Sequence, residues 1–252
     1  MAELKIPTET VSLPSKGLLY PKESPLSSGK IEMKYMTAKE EDILTNANYM
    51  RQGTVIDKLL QALIITPINY DDLLIGDKNA ILIAARVLGY GKDYTFRYTN
   101  QRGQETEATV DLSQLNEKQL DESLFNAGIN ELSFSLPKSG NVVTFKLLSH
   151  GDEKKIEAEI KGLQKVNPNG SFDITTRFKY MVTSINGDRD IKSIRDFVDN
   201  AFLAPDARAL RDYYNKVQPD VDLTFKPDDE SYTGEGMAIP ISLNFFWPDA
   251  GI

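Results

Sequence analysis

The sequence predicts an α+β fold: helical segments alternate with antiparallel β-hairpins, in two halves of similar plan behind an extended N-terminal arm. Three observations predict it. The apolar period switches from about 3.6 residues to 2 after Gly91, returns to the helical value near Asp152, and gives way to strand-like runs again after residue 216. Turn-forming clusters such as Asn100-Gln101-Arg102-Gly103 and Pro137-Lys138-Ser139-Gly140-Asn141 sit between the alternating runs. Helices, strands, helices and strands following one another in blocks suggest α+β rather than a doubly wound sheet.

Taken in order, residues 1–29 carry Pro7, Pro14, Pro21 and Pro25, each restricting its predecessor to extended backbone, and show no helical period. They read as an arm that gains order on a neighbour and is dispensable for folding. Ile31, Met33 and Tyr35 share one face of a strand. Thr37 and Glu40 form a capping box, the hydroxyl accepting from the third helical amide and the carboxylate reaching back to the amide of Thr37. That helix is expected to run through Ile43, Leu44 and Ala47 to about Tyr49, with Gly53 as the break. A second begins near Thr54 and carries Val55, Leu59, Ala62 and Leu63 on one face; a third follows Gly76, is capped by Asp77 and ends at Gly89.

Tyr94, Phe96 and Tyr98 alternate with polar residues and return through Thr106, Ala108 and Val110, a β-hairpin. A second hairpin joins 132–136 to 142–147. Helices are predicted over 152–165, 173–185, 190–202 and 205–216, with Pro205 at the first position of the last, where its missing amide costs nothing. Strands near 221–226 and 237–246 close the chain. The two halves are then 30–148 and 149–252.

Composition narrows the function. With 252 residues, 40% hydrophobic and 26% charged, the chain can bury a real core and is expected to be folded and soluble. A net charge of −8 argues against a general nucleic-acid surface, which needs clustered Lys and Arg. There is no cysteine and one histidine, which excludes disulfides, thiolate metal sites and nitrogen-rich metal clusters, so no metal or cofactor is expected. The longest apolar run, residues 80–88, contains Arg86 and is about half of the ~20 residues that a membrane span needs. It reads as a buried helix, and no membrane insertion is expected. The first residues lack the apolar core of a secretory signal, which implies folding in a cytoplasm.

No catalytic set emerges. Glu40/Glu41, Asp71/Asp72 and Asp228/Asp229 are adjacent residues that do not face one site. Gly89-Tyr90-Gly91 follows a helix and so terminates it rather than cradling a phosphate. His150, just before a helical pattern, reads as a loop or pre-cap residue. The chain is expected not to be an enzyme.

What remains is docking. The acidic turn Pro219 to Phe225 and the later run ending in Phe245, Phe246, Trp247 and Pro248 suit packing and docking rather than chemistry. Arg208 and Arg211, three apart on one helix side, either bind a carboxylate on a partner or close an internal cluster with Asp206 and Asp212. The expected partner-contacting residues are therefore Lys16, Leu19 and Tyr20 in the arm, Arg208 and Arg211, and Phe245, Phe246 and Trp247.

The same residues carry a family resemblance. Ser15-Lys16-Gly17 with Tyr20-Pro21, Met36-Thr37 with Glu40-Glu41 and Leu44, Gly76-Asp77 with Arg86, and Tyr90-Gly91-Lys92-Asp93-Tyr94 resemble blocks in the baseplate hub proteins of T-even-type contractile-tailed phages. Arg177-Phe178, Ile185-Asn186-Gly187, Phe197-Val198-Asp199, Asp206 to Arg211, Pro219 to Phe225 and Phe245-Phe246-Trp247-Pro248 continue it, in order, over residues 12–249. The resemblance implies a non-enzymatic structural or assembly component of the virion tail baseplate, acting in the central hub and assembled in the bacterial host cytoplasm. It also implies hub, tail tube or tape-measure proteins as partners, with a homo-oligomer within the assembly as a further expectation. Two other readings stand beside it: a transient assembly chaperone for hub or tape-measure proteins, and a soluble regulator that binds a peptide or small ligand between the halves. Many relatives carry Cys-x-x-Cys pairs where this chain has residues 98–103 and 231–236; with no cysteine here, ordinary contacts must fix those turns.

Overall fold

The computed structural model describes residues 6–100, 102–227, 232, 234, 236–241, 245 and 246, and within them eight α-helices and four small antiparallel sheets make an α+β fold. Strand β1 (Thr8–Ser12) pairs antiparallel with β2 (Lys30–Lys34), Thr8 opposite Lys34 and Ser12 opposite Lys30. The loop between them doubles back on itself: Gly17 has φ +77°, and a Cβ there would lie 2.3 Å from the carbonyl oxygen of Ser27.

The segment read as an arm is packed into the molecule. Leu13, Leu19, Tyr20 and Leu26 are all buried in the main apolar cluster. The prolines set corners, Pro25 for instance opening the short 3-10 turn Pro25–Ser28 that Ser24 caps, and the leucines between the corners point inward. Restricted backbone and an absent helical period describe a tight irregular loop as well as they describe an arm.

The Thr37/Glu40 capping box opens α1 (Ala38–Leu44) as predicted. Glu40 is buried, which raises its pKa, but the bond from Lys34 and those from the hydroxyl and amide of Thr37 outweigh this and hold it down at about 2. The helix stops earlier than expected, because the Asn46 side chain accepts from the amides of Asn48 and Tyr49 and starts α2 (Ala47–Gln52). Next come α3 (Val55–Leu63) and α4 (Ile75–Tyr90). Asp77 does not cap α4. It lies in the first turn, fully buried, and accepts from the amide and hydroxyl of Ser15 at 2.9 and 2.7 Å and from the Tyr20 hydroxyl at 2.6 Å.

Strands β3 (Asp93–Thr99) and β4 (Glu105–Asp111) form the predicted hairpin, Tyr94 opposite Val110, Phe96 opposite Ala108 and Tyr98 opposite Thr106. The second hairpin, β5 (Leu132–Ser135) and β6 (Val142–Phe145), gains a third strand, β7 (Val182–Ile185), on its β6 edge. Sequence periodicity had given residues 173–185 to one helix. Instead α6 (Asp173–Met181) ends where the branched pair Val182-Thr183 begins, and Glu131 anchors the new strand through Thr183 and a two-pronged bond from Arg189.

Around these lie α5 (His150–Val166), α7 (Ile191–Asn200) and α8 (Ala204–Val217). The last strands, β8 (Thr224–Phe225) and β9 (Met237–Ala238), are shorter than predicted. The strand expected over 237–246 includes residues 242–244, which lie outside the described residues.

The two halves share one core. The amide of His150 donates to the Leu73 carbonyl at 2.7 Å and that of Ile75 to Leu148 at 3.2 Å, stitching residue 149 to residue 74. After α8 the chain returns to the first half: the amides of Lys118 and Asp222 bond Asp220 and Asn116, and Phe225 sets its edge against Phe96 and Tyr98. The approach is close enough that a Cβ on Gly76 would fall 1.7 Å from the Pro219 carbonyl oxygen.

Candidate functional site

The predicted contact residues separate into two groups. Leu19, Tyr20, Phe245 and Phe246 are each at most 4% exposed, so they stabilise this chain's own core. Phe245 lies edge-on to Tyr94 at 4.8 Å and beside the buried Arg86, whose guanidinium donates to the carbonyls of Gly91 and Asp93. An aromatic run at a chain end looks the same in sequence whether it docks outward or inward; here Phe245 and Phe246 turn inward. Trp247 lies outside the described residues.

The cations stay at the surface. Lys16 pairs with Glu122 at 2.6 Å, both about half exposed. Arg208 approaches Asp212 only to 3.9 Å, and Arg211 has no ion pair or hydrogen bond among the described residues. Asp206 does not join them. Its buried carboxylate accepts from the amides of Lys138 and Ser139 at 2.6 and 3.0 Å, fixing the β5–β6 turn.

Arg211 stands at the mouth of a cleft of about 350 Å³ between α6, α8 and the start of α5. The helical spacing explains it: Leu210, Tyr214 and Val217 of α8 point into the core, which leaves Arg211 on the rim. Leu148, Phe178, Met181 and Tyr214 line the cleft, with Ile75 contributed by the first half. Tyr214 is held in place by the Leu148 amide, which donates to its hydroxyl at 3.0 Å, and burial pushes its pKa up to about 12. On the opposite rim Arg177 is already engaged by Glu153 at 2.5 Å and Asp173 at 3.3 Å, the bond it donates to Glu153 raising its pKa above the ordinary value. Ile174 beside it is 51% exposed. An apolar cleft with a guanidinium at its lip that no described residue engages can take a large apolar side chain next to a carboxylate.

A second cavity, about 580 Å³, lies between α3, α4 and α5 around His150. His150 is not a loop residue: it is the buried first residue of α5, behind a capping box of Ser149 and Asp152. Its Nδ1 lies 3.2 Å from Lys78 Nζ and its Nε2 3.5 Å from Asp57. An ammonium can only donate, so Nδ1 accepts and the ring is neutral. Burial, and then Lys78, lower its pKa. With the Nδ1 lone pair taken up by Lys78, the group is a polar junction rather than a free base. Among the described residues no cluster of three or more His, Asp and Glu is placed to hold a metal ion, and no helix is long and apolar enough to cross a membrane.

The first turn in place of a Cys-x-x-Cys pair is held by an asparagine. Asn100 Oδ1 accepts from the amides of Arg102 at 2.9 Å and Gln104 at 3.0 Å. Of the second, residues 231, 233 and 235 lie outside the described residues.

Among protein families, residues 9–201 match the one described as T4 bacteriophage base plate protein. No curated protein and no solved structure matches the chain.

Proposed function

The chain belongs to the T4 bacteriophage base plate protein family, and from that premise we propose that it is a non-enzymatic structural component of the tail base plate, seated in the central hub through the α6–α8 cleft. The observation that carries this reading is Arg211, a guanidinium with no partner among the described residues, beside a preformed apolar floor. Its partner presents a leucine, methionine or aromatic side chain next to an aspartate or glutamate, on a neighbouring hub, tail tube or tape-measure protein. Filling the floor contributes about 1.5–3 kcal/mol and the charge-assisted pair about 1.5–3 kcal/mol. That is enough for one anchor of a larger interface.

Replacing Arg211 by glutamate in the phage tests this. The substitution is on an exposed helix face, so the isolated protein should keep its thermal midpoint to within about 2 °C. Incorporation into base plates should fall at least tenfold. Normal incorporation of the folded variant would remove the cleft from the interface.

A second reading, a transient assembly factor for hub or tape-measure proteins, is favoured by one observation. Phe245 and Phe246 are buried within the chain itself, so they leave no exposed apolar patch on the free protein. The two readings differ in whether the chain is retained in finished particles.

A further inference from the structure

Strand β1 lies at the margin of a two-stranded sheet, and its outer edge is open. The amide of Leu13 donates to the Gly29 carbonyl and that of Tyr35 to Pro7, which with the Val11–Ile31 and Glu9–Met33 pairs fixes the hydrogen-bonding phase of the ladder. Odd-numbered residues of β1 face β2. The amides and carbonyls of Thr10 and Ser12 therefore point away from it, and no bond to any of these groups is present among the described residues. An unpaired edge of this kind is a template for another strand.

The edge does not face open water. Beside it runs a groove of about 330 Å³, floored by Ile83, Ala84, Val87 and Leu88 of α4 and closed on the far side by the segment 112–117. Glu9 and Glu117, both exposed and neither in an ion pair among the described residues, stand on its two rims, Lys16 attracting Glu117 only from a distance while it pairs with Glu122. Open backbone groups on one wall, an apolar floor and an acidic rim together specify the occupant.

We infer that this groove receives an extended segment of another polypeptide, which adds as a strand to β1, lays apolar side chains at alternate positions on α4, and sets a lysine or arginine between Glu9 and Glu117. Backbone bonds to Thr10 and Ser12 supply register, and the alternate side chains supply selectivity. The groove is separate from the α6–α8 cleft, with which it shares no lining residue. As a base plate contact the inference rests on the function proposed above, but strand addition itself is testable on the isolated chain.

The probe is a synthetic hexapeptide alternating valine and lysine, added to the purified full-length protein while amide exchange is followed by NMR. Exchange at Thr10 and Ser12 should slow by about tenfold or more, with little change at Val11, whose amide already faces β2. Thr10→Pro removes an outward amide that bonds nothing in the fold, a change edge strands tolerate, and should abolish the protection. Ala84→Glu puts a charge on the floor and should do the same, so that the test stands if the proline variant fails to fold. No protection at Thr10 and Ser12 with peptide at about 1 mM, or protection that survives both substitutions, overturns the inference. In base plates that contain the chain, the same two amides should be protected. If they exchange freely there while Arg211→Glu blocks incorporation, the strand-addition site fails and the proposed function stands; if the chain is absent from base plates, the proposed function fails and the peptide result still decides the groove.

Discussion

Replacing Asp77 by alanine should loosen the N-terminal segment and cost a large part of the fold's stability. The carboxylate is fully buried, with no cation paired to it among the described residues; it holds the amide and hydroxyl of Ser15 and the hydroxyl of Tyr20, while that same Tyr20 oxygen accepts from the Leu74 amide at 2.9 Å. Alanine leaves three donors without their acceptor in a buried setting, at about 1–3 kcal/mol each. A water filling the void and rotation of the two hydroxyls recover part of that, for a net loss of about 3–5 kcal/mol. For a chain of this size, this lowers the thermal midpoint by about 6–20 °C. Far-UV circular dichroism on heating reads the midpoint, and trypsin reads the segment directly, since Lys16 and Lys22 should be cut earlier in the variant. There is also a pH signature. Burial raises the pKa of Asp77 above the ordinary carboxylate value, its hydrogen bonds opposing this in part. The folded state thus holds the proton more tightly than the unfolded chain, so wild type gains stability relative to the variant as pH falls through the folded pKa toward the unfolded one. A loss below about 1 kcal/mol with unchanged trypsin cleavage would refute the view that Asp77 ties residues 13–20 into the core.

Other substitutions test separate joints. Glu131 is held at a pKa of about 2 chiefly by Arg189 and Thr183, against an unfolded value near 4.5. Its contribution, about 1–2 kcal/mol after solvent screening, is present above pH 4.5 and lost as pH falls through about 2, so the cost of Glu131→Gln should be full at neutral pH and shrink steadily toward pH 2; a pH-independent difference would contradict this. Gly76→Ala would stabilise an ordinary helix turn by about 1 kcal/mol. Here the new methyl meets the Pro219 carbonyl, so a loss of about 2–4 kcal/mol is expected in urea unfolding, and a gain would show that residue 219 does not pack there. Deleting residues 1–28 removes Leu13, Leu19, Tyr20 and Leu26 from the core and should leave a chain that does not fold. A dispersed amide spectrum from the truncated protein would restore the arm.

Where local chemistry decides, the sequence was readable. Alternation in Tyr94, Phe96 and Tyr98 located β3, and the Thr37/Glu40 pair located the start of α1, because both signals are complete within a few residues. β7 was missed because its four residues continue a helix without a glycine or proline, and its partner β6 lies 40 positions away. Asp77, Glu131 and Asp206 all act on residues more than 50 positions distant, and a lone acidic residue carries no mark of such a partner. At the candidate site the spacing put Arg208 and Arg211 on one helix side but left open a partner carboxylate or an internal cluster, and Asp206 binds the β5–β6 turn instead. The cleft beside Arg211 was not legible, since α6 supplies half of it. The aromatic end misled for a related reason: its partner Tyr94 belongs to the first hairpin.

Quantitative mass spectrometry of purified phage particles, set against assembly intermediates from infected cells and referenced to a known tail protein, tests the account most directly. A structural hub component should be present in finished particles at a fixed ratio to that reference. Presence in intermediates alone would contradict retention and make the chain an assembly factor, and absence from both would contradict the proposed role altogether.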